Sequence, residues 1–287
     1  MIETRVIEVL APGPLATVQD LGRPGWARLG VGRSGAADLA GHRLANRLVG
    51  NAEDAATIET TFGGLRLRSH ADLLVALTGA SSPLSIAGQP QALNAPLRLG
   101  LGDDLVVGVP KRGLRGYLAV RGGLAVEPVL GSRSTDLLSG IGPAPLRAGD
   151  RLPVGSAAGS VPVVDLAPVP EPEVEPVLCV LPGPRRDWFD DRAWPALLDT
   201  TWSVTQDTNR VGVRLDGPAL VPNVDGSLPS EPLVPGAVQV PLSARPLIFL
   251  ADHPVTGGYP VLAVVSRADL GAAAQLRPGQ RVRFRPA

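Results

Sequence analysis

"QDLGRPG", residues 19–25, returns as "QDTNRVG" at 206–212, with Gln-Asp-x-x-Arg-x-Gly kept in both. A second pair follows in the same order: "LRAGDRL" (146–152) and "LRPGQRV" (276–282) share Leu-Arg-x-Gly-x-Arg and a final aliphatic residue. One pair lies near the start of each half and the other near its end, which predicts a duplicated domain. Between the halves runs "GSAAGSVPVVDLAPVPEPEVEP", 155–176. Its closely spaced prolines oppose helix and central strand and predict an extended, semi-rigid linker. The expected organisation is therefore a domain at 1–154, a linker at 155–176 and a domain at 177–287, the first copy enlarged by a helical insertion.

The building blocks of each half read as strands. "RVIEVL", "DLLVALTG", "DLVVGV", "YLAVRGG", "VLCVLPG", "PLIFLA", "VLAVVS" and "RVRFRP" are short, rich in Val, Leu and Ile, and bounded by turn residues. Gly (34) and Pro (30) punctuate them throughout, so the expected class is mostly β with few short helices. The clearest helix is Ala36–Leu48: Ala40, Leu44 and Leu48 recur every four residues, Ser34 or Gly35 is placed to cap, and Gly50 stops it. Shorter helices are expected within "RDWFDDRAWPALLD" and "SRADLGAAAQ".

Composition removes several function classes. Lys+Arg and Asp+Glu both number 27 and aromatics make up 3%, so neither a phosphate-tracking surface nor a base-stacking platform for nucleic acid is present. Lys111 is the only lysine, which excludes a P-loop; Met1 is the only methionine, so the Met-Lys-Met site of covalent biotin is missing. Cys179, the sole cysteine, cannot form an internal disulfide and reads as core filler. No apolar run approaches the ~18 residues of a membrane span, and "MIETRVIEVL" lacks the apolar core of a signal peptide. The chain reads as soluble and cytoplasmic.

Familiar catalytic patterns fail on context. "GVGRSG" (30–35) fits Gly-x-Gly-x-x-Gly, but no buried strand precedes it and no strand–helix alternation follows, so a dinucleotide site is rejected. What remains is the expectation that amides near Ser34–Ala37, at a helix N-terminus, hold an anion or carbonyl oxygen. His42, His70 and His253 are not spaced as metal ligands, so no metal is expected, and no Gly-x-Ser-x-Gly elbow is present. Polar residues do gather where strand ends should converge: Asp20, Arg23, Asn209, Arg210, Glu231, Gln239, Asp252, Thr256 and Tyr259. The set is rich in donors and poor in nucleophiles. It suits holding a carboxylate or amide and stabilising charge on its oxygen, and equally suits turns and domain contacts.

The segments "TVQDLGRPGWARLGVGRSGAADLAGHRLANRLVGN", "YLAVRGGLAVEPVLGSRSTD", "TNRVGVRLDG", "EPLVPGAVQVPLSARPLIFLADHPVTGGYP" and "AQLRPGQRVRF" resemble the biotin-dependent carboxyltransferase family. That family includes allophanate hydrolase subunit 2, KipA-type proteins and the C subunit of 5-oxoprolinase. The resemblance implies two tandem cyclophilin-like β-barrel domains and a hetero-oligomer with a KipI-like B subunit and, in the 5-oxoprolinase system, with an A subunit too. It implies ATP-dependent opening of 5-oxoproline to glutamate in a cleft between the two domains. ATP is used by the complex, with no site for it locatable on this chain. The alternatives are a KipA-type protein that sequesters a KipI-like kinase inhibitor, and a carboxyltransferase component of urea or allophanate metabolism.

On this resemblance "VTGGYP" lies at the substrate site, with Gly257 and Gly258 permitting close backbone approach. Arg210 and Arg23 are expected to hold a carboxylate or oxyanion. Asp252 and Glu231 would orient them or exchange protons, which makes Arg210, Asp252 and Glu231 the catalytic candidates. Asp20, Arg23, Asn209, Gln239, Thr256, Gly257, Gly258 and Tyr259 are the substrate-binding candidates. Two departures bear on substrate: Val255 stands where relatives carry Thr, and "LSAR" (242–245) replaces the usual "PPDG".

Overall fold

A computed structural model describes residues 5–224 and 228–287. The chain forms two compact units that interleave in sequence. The first contains the chain through Arg23 with Asp38–Asp136 and Gly140–Pro172; the second contains Pro24–Ala37, Leu137–Ser139 and Glu173–Ala287.

The first unit is built from two antiparallel sheets. One orders its strands Arg151–Pro153, Val6–Pro12, Leu65–Ser69, Asp104–Val107, Leu84–Ile86 and Gln89–Gln91. The other orders Leu15–Gln19, Thr57–Thr61, Arg115–Val120, Leu73–Gly79 and Leu97–Leu99. Alternation along these strands sends Val9, Val18, Ile58, Leu67, Leu77, Leu105 and Leu118 into one apolar core. The proline-rich stretch has no strand or helix, and part of it is fastened to this unit. Arg121 donates to the Gly159 carbonyl at 2.6 Å, and Ala167 N donates to the Asn94 carbonyl at 2.8 Å.

The other face of the second sheet is polar, and the helix Leu39–Leu48 covers it. The helix starts three residues later than the sequence suggested. Asp38, with extended backbone, is the N-cap and accepts from Gly41 N at 3.1 Å, while its own N donates to the Tyr117 hydroxyl at 2.7 Å. Ser34 instead sits at φ +53°. Residues 34–37 therefore do not form the helix N-terminus, and the anion site expected from their amides loses its basis. Gly41 is favoured by contact: a Cβ there would stand 3.0 Å from the Tyr117 ring, which would have to give way.

His42 is buried in the same layer. Its Nε2 donates to the Glu53 carbonyl (3.0 Å), leaving Nδ1 to accept from the Thr57 hydroxyl (3.0 Å). Burial pushes its pKa below the usual 6.5. Below pH 6.5 the unfolded chain then binds the proton first, so stability falls as pH drops toward the folded-state value. Urea unfolding at pH 7 and 5.5 is expected to show a loss of about 1 kcal/mol that His42→Gln removes. Equal losses in both proteins would contradict this assignment.

The second unit is a closed barrel. Its strands run, in order around the barrel, Val177–Pro182, Val261–Val265, Ala237–Gln239, Leu247–Phe249, Gly212–Asp216, Trp202–Val204 and Arg281–Pro286. Pairing is antiparallel except where Val177–Pro182 closes in parallel on Arg281–Pro286. Inside lie Leu178, Val180, Trp202, Val213, Val238, Ile248, Leu262 and Phe284. Cys179 points outward from this wall, half-buried, rather than filling the core. Burial and the neighbouring Asp269 carboxylate raise its thiol pKa, which keeps it protonated.

The second sequence echo has a structural counterpart. Asp150 accepts from Arg147 N (2.7 Å), and Gln280 accepts from Arg277 N (3.0 Å). Gly149 (φ +92°) and Gly279 (φ +81°) supply the left-handed residue in each turn. Among the described residues no helix is long and apolar enough to cross a membrane.

Candidate active site

The barrel strand Ala237–Gln239 sends Val238 inward and Ala237 and Gln239 outward. Its pairing with Val261–Val265 slips at the end: Ala237 faces Val264 and Val238 faces Ala263, but Gln239 faces Val261. The extra residue of this bulge, Leu262, lies on the partner strand, and Gln239 points outward by the alternation of its own strand. Gln239 Nε2 donates to the Tyr259 carbonyl at 3.0 Å, which fixes the amide orientation. Its Oε1 accepts from no protein group among the described residues.

Around Gln239 the outer wall carries an apolar patch of Leu233, Ala237, Leu247, Phe249 and Val261. A two-residue antiparallel ladder borders it, with Glu231 opposite Gly257 and Pro232 opposite Thr256. Neither Gly257 nor Gly258 has a positive φ, so turn geometry does not demand them. Space favours glycine at 257: a Cβ there would lie 2.7 Å from Gln239 Nε2 and 2.8 Å from Leu233 Cδ1, so these side-chain ends would have to shift. At Gly258, among the described residues, a Cβ would meet the Leu228 carbonyl at 3.4 Å, an ordinary contact. Thr256 and Tyr259 are exposed.

Glu231 is tied by Arg185, which follows the strand Val177–Pro182. Arg185 Nε donates to Glu231 Oε2 at 3.0 Å and Nη2 donates to Oε1, a two-pronged ion pair. Hydrogen bonding from Arg185 holds the Glu231 carboxyl below its usual range and raises the Arg185 pKa in turn. The pair is therefore intact at neutral pH and is lost only as pH falls through the lowered Glu231 value.

Arg210 and Asp252 form a different group within the same unit. Arg210 Nε donates to Asp252 Oδ2 and Nη2 to Oδ1, both at 2.9 Å, with side-chain exposures of 1% and 0%. Arg210 Nη2 also donates to the Gly35 carbonyl (2.7 Å). Asp252 accepts from the Ser34 hydroxyl (2.6 Å) and from Leu137 N (3.1 Å). The pair thus fastens residues 34–35 and 137 to the barrel, and both carboxylate oxygens are occupied. Asn209 shapes the neighbouring turn: its Oδ1 accepts from Val211 N (2.8 Å) and Gly212 N (3.3 Å).

Asp20 and Arg23 lie in the first unit. Asp20 accepts from the hydroxyls of Ser132 and Ser134 (both 2.6 Å), from Arg133 N (2.6 Å) and from Gly22 N (2.7 Å). Arg23, fully buried, donates to the Ser134 carbonyl. Together they lock "GSRSTD" (131–136) against the first echo.

The structure thus brings Glu231, Gln239, Thr256, Gly257, Gly258 and Tyr259 to one outer face, pairs Arg210 with Asp252, and joins Asp20 to Arg23 through Ser134. Sequence reasoning missed Arg185 and Leu137, and it placed Ser34 at a helix N-terminus rather than on Asp252. For Arg185 a signal existed: "PGPRR" places two arginines just past a strand end. Nothing in the sequence marks Leu137, which contributes only a backbone amide.

The profile of the family described as carboxyltransferase domain, subdomain A and B, matches residues 29–286. The chain belongs to this family. It is 36% identical over 282 residues to the C subunit of 5-oxoprolinase from Escherichia coli, spanning 97% of this chain and 90% of that one. Among solved structures, the protein TTHA0988 superposes with a TM-score of 0.89 at 38% identity over 99% of this chain. The urea carboxylase of Kluyveromyces lactis superposes with a TM-score of 0.90 at 31% identity over the whole of it. Both solved relatives are longer: this chain spans 56% of the first and 28% of the second. The curated relatives are parts of enzymes, and the bacterial ones are named as one member of a multi-subunit assembly.

Proposed function

We propose that this chain is the C subunit of an ATP-dependent 5-oxoprolinase, and that it works with a KipI-like B subunit and an A subunit to open 5-oxoproline to glutamate. The observation that supports this most is Gln239: a buried side chain turned outward by strand alternation, with its nitrogen taken by Tyr259 and its carbonyl oxygen bonded by no protein donor among the described residues. A lactam N–H is the complementary donor. Holding that N–H orients the ring amide, and Gly257, lacking a side chain, leaves the face beside Gln239 clear. Opening the ring requires the amide resonance to be broken while charge builds on oxygen, which positioned donors favour without any protein nucleophile. ATP is a co-substrate of this reaction, and no residue of this chain is assigned to it. Arg210 and Asp252 serve the site by position, since their polar atoms already bond one another and residues 34, 35 and 137.

The test is ADP formation dependent on 5-oxoproline by the chain assembled with both partners, each protein being omitted in turn. Turnover that requires all three is expected; a stable, folded assembly without turnover would overturn the reading. The structural likeness to urea carboxylase favours a second reading, transfer of carboxylate to urea. The same assembly offered urea and carboxybiotin distinguishes the two.

A further inference from the structure

We infer that Arg185 binds the carboxylate of an anionic lactam whose ring N–H is taken by Gln239 Oε1. This rests on the role proposed for Gln239 and extends it to a residue outside the set that the sequence suggested. Guanidinium has five N–H donors. In Arg185, Nε–H and one Nη2–H go to Glu231, and the remaining three have no protein acceptor among the described residues. The side chain is 34% exposed, so those donors face solvent.

The other cations near this end are differently placed. Arg210 is buried and engaged with Asp252, and Arg186 lies over the Trp194 ring at 5.1 Å. Glu231 fixes the guanidinium plane and stands opposite Gly257 in the ladder, while Gly257 packs against the Gln239 amide. One short path, Arg185–Glu231–Gly257–Gln239, therefore links a cation to an N–H acceptor. In 5-oxoproline the carboxylate sits on the ring carbon next to the N–H, so one molecule presents both complements together. Urea presents N–H groups alone. Arg185 would then be the specificity-determining residue.

The test uses the assembled complex with wild type, Arg185→Met and Arg185→Lys. KM and kcat are measured for 5-oxoproline, and the inhibition constant for its uncharged carboxamide. Arg185→Met is expected to raise KM about 10–100-fold, as loss of a charge-assisted contact does. kcat should change far less, the carboxamide constant should move less than about threefold, and Arg185→Lys should recover part of KM. An unchanged KM would overturn the inference, as would equal weakening of substrate and carboxamide, which marks a merely structural role. A wild-type complex that neither binds nor turns over 5-oxoproline would overturn the functional reading as well.

Discussion

Asp252→Ala is expected to lower the unfolding free energy by about 3–5 kcal/mol. The change leaves the Arg210 guanidinium buried without its carboxylate and removes the acceptor for Ser34 and Leu137 N. An isolated buried charge is far costlier than the pair is stabilising, so replacing both partners should hurt less than replacing one. Urea denaturation of Asp252→Ala and of the double variant Arg210→Met/Asp252→Leu measures this directly. The double variant is expected to be considerably more stable than the sum of the single losses implies. A loss below about 1 kcal/mol for Asp252→Ala would mean that the pair does not fasten residues 34–35 and 137.

Gly257→Val is expected to cut kcat/KM for 5-oxoproline about 100-fold or more while the protein stays folded. A side chain there cannot coexist with Gln239 Nε2 at 2.7 Å and Leu233 Cδ1 at 2.8 Å, so Gln239 must move. Displacing a positioning group by about 1 Å costs rates on the order of 100-fold, whereas overpacking at one site costs about 1–3 kcal/mol of stability. Gly258→Ala provides the contrast, since among the described residues its Cβ would meet the Leu228 carbonyl at 3.4 Å and its φ is not positive. Kinetics and urea midpoints of both variants check the pair. Equal activity in Gly257→Val and Gly258→Ala would show that the Gln239 amide does not set the rate.

Period and punctuation made the β architecture legible. Each run such as "VLAVV" is flanked by Gly or Pro and became a strand, Val261–Val265, with Leu262 inside the barrel. The Leu-Arg-x-Gly echo was legible because its turn is local: the side chain of Asp150 or Gln280 accepts from an amide three residues earlier in both copies. The interleaving of the two units was not legible, because the bonds that join residues 34–35 and 137 to Arg210 and Asp252 span more than a hundred residues. For the same reason the helix start was misplaced. Ser34 looked like a cap in "RSGAAD", yet its hydroxyl serves Asp252 and the cap falls to Asp38.

At the site, residue types were readable and groupings were not. Arg210 and Glu231 looked alike as polar residues near strand ends, but one is sealed in a pair and the other stands at the rim with Arg185. Which face Gln239 occupies, and the Tyr259 carbonyl that its amide meets, depend on which strands pair, a long-range fact that no window of sequence contains.

The most direct measurement is glutamate release from 5-oxoproline by the assembled complex carrying Gln239→Leu. The substitution roughly keeps the size of the side chain while removing the open acceptor and the bond to Tyr259. A fall in kcat/KM of at least about 30-fold, with the complex intact and the urea midpoint nearly unchanged, is the predicted result. Activity within about threefold of wild type would contradict the account, because the acceptor proposed to hold the lactam would then be dispensable.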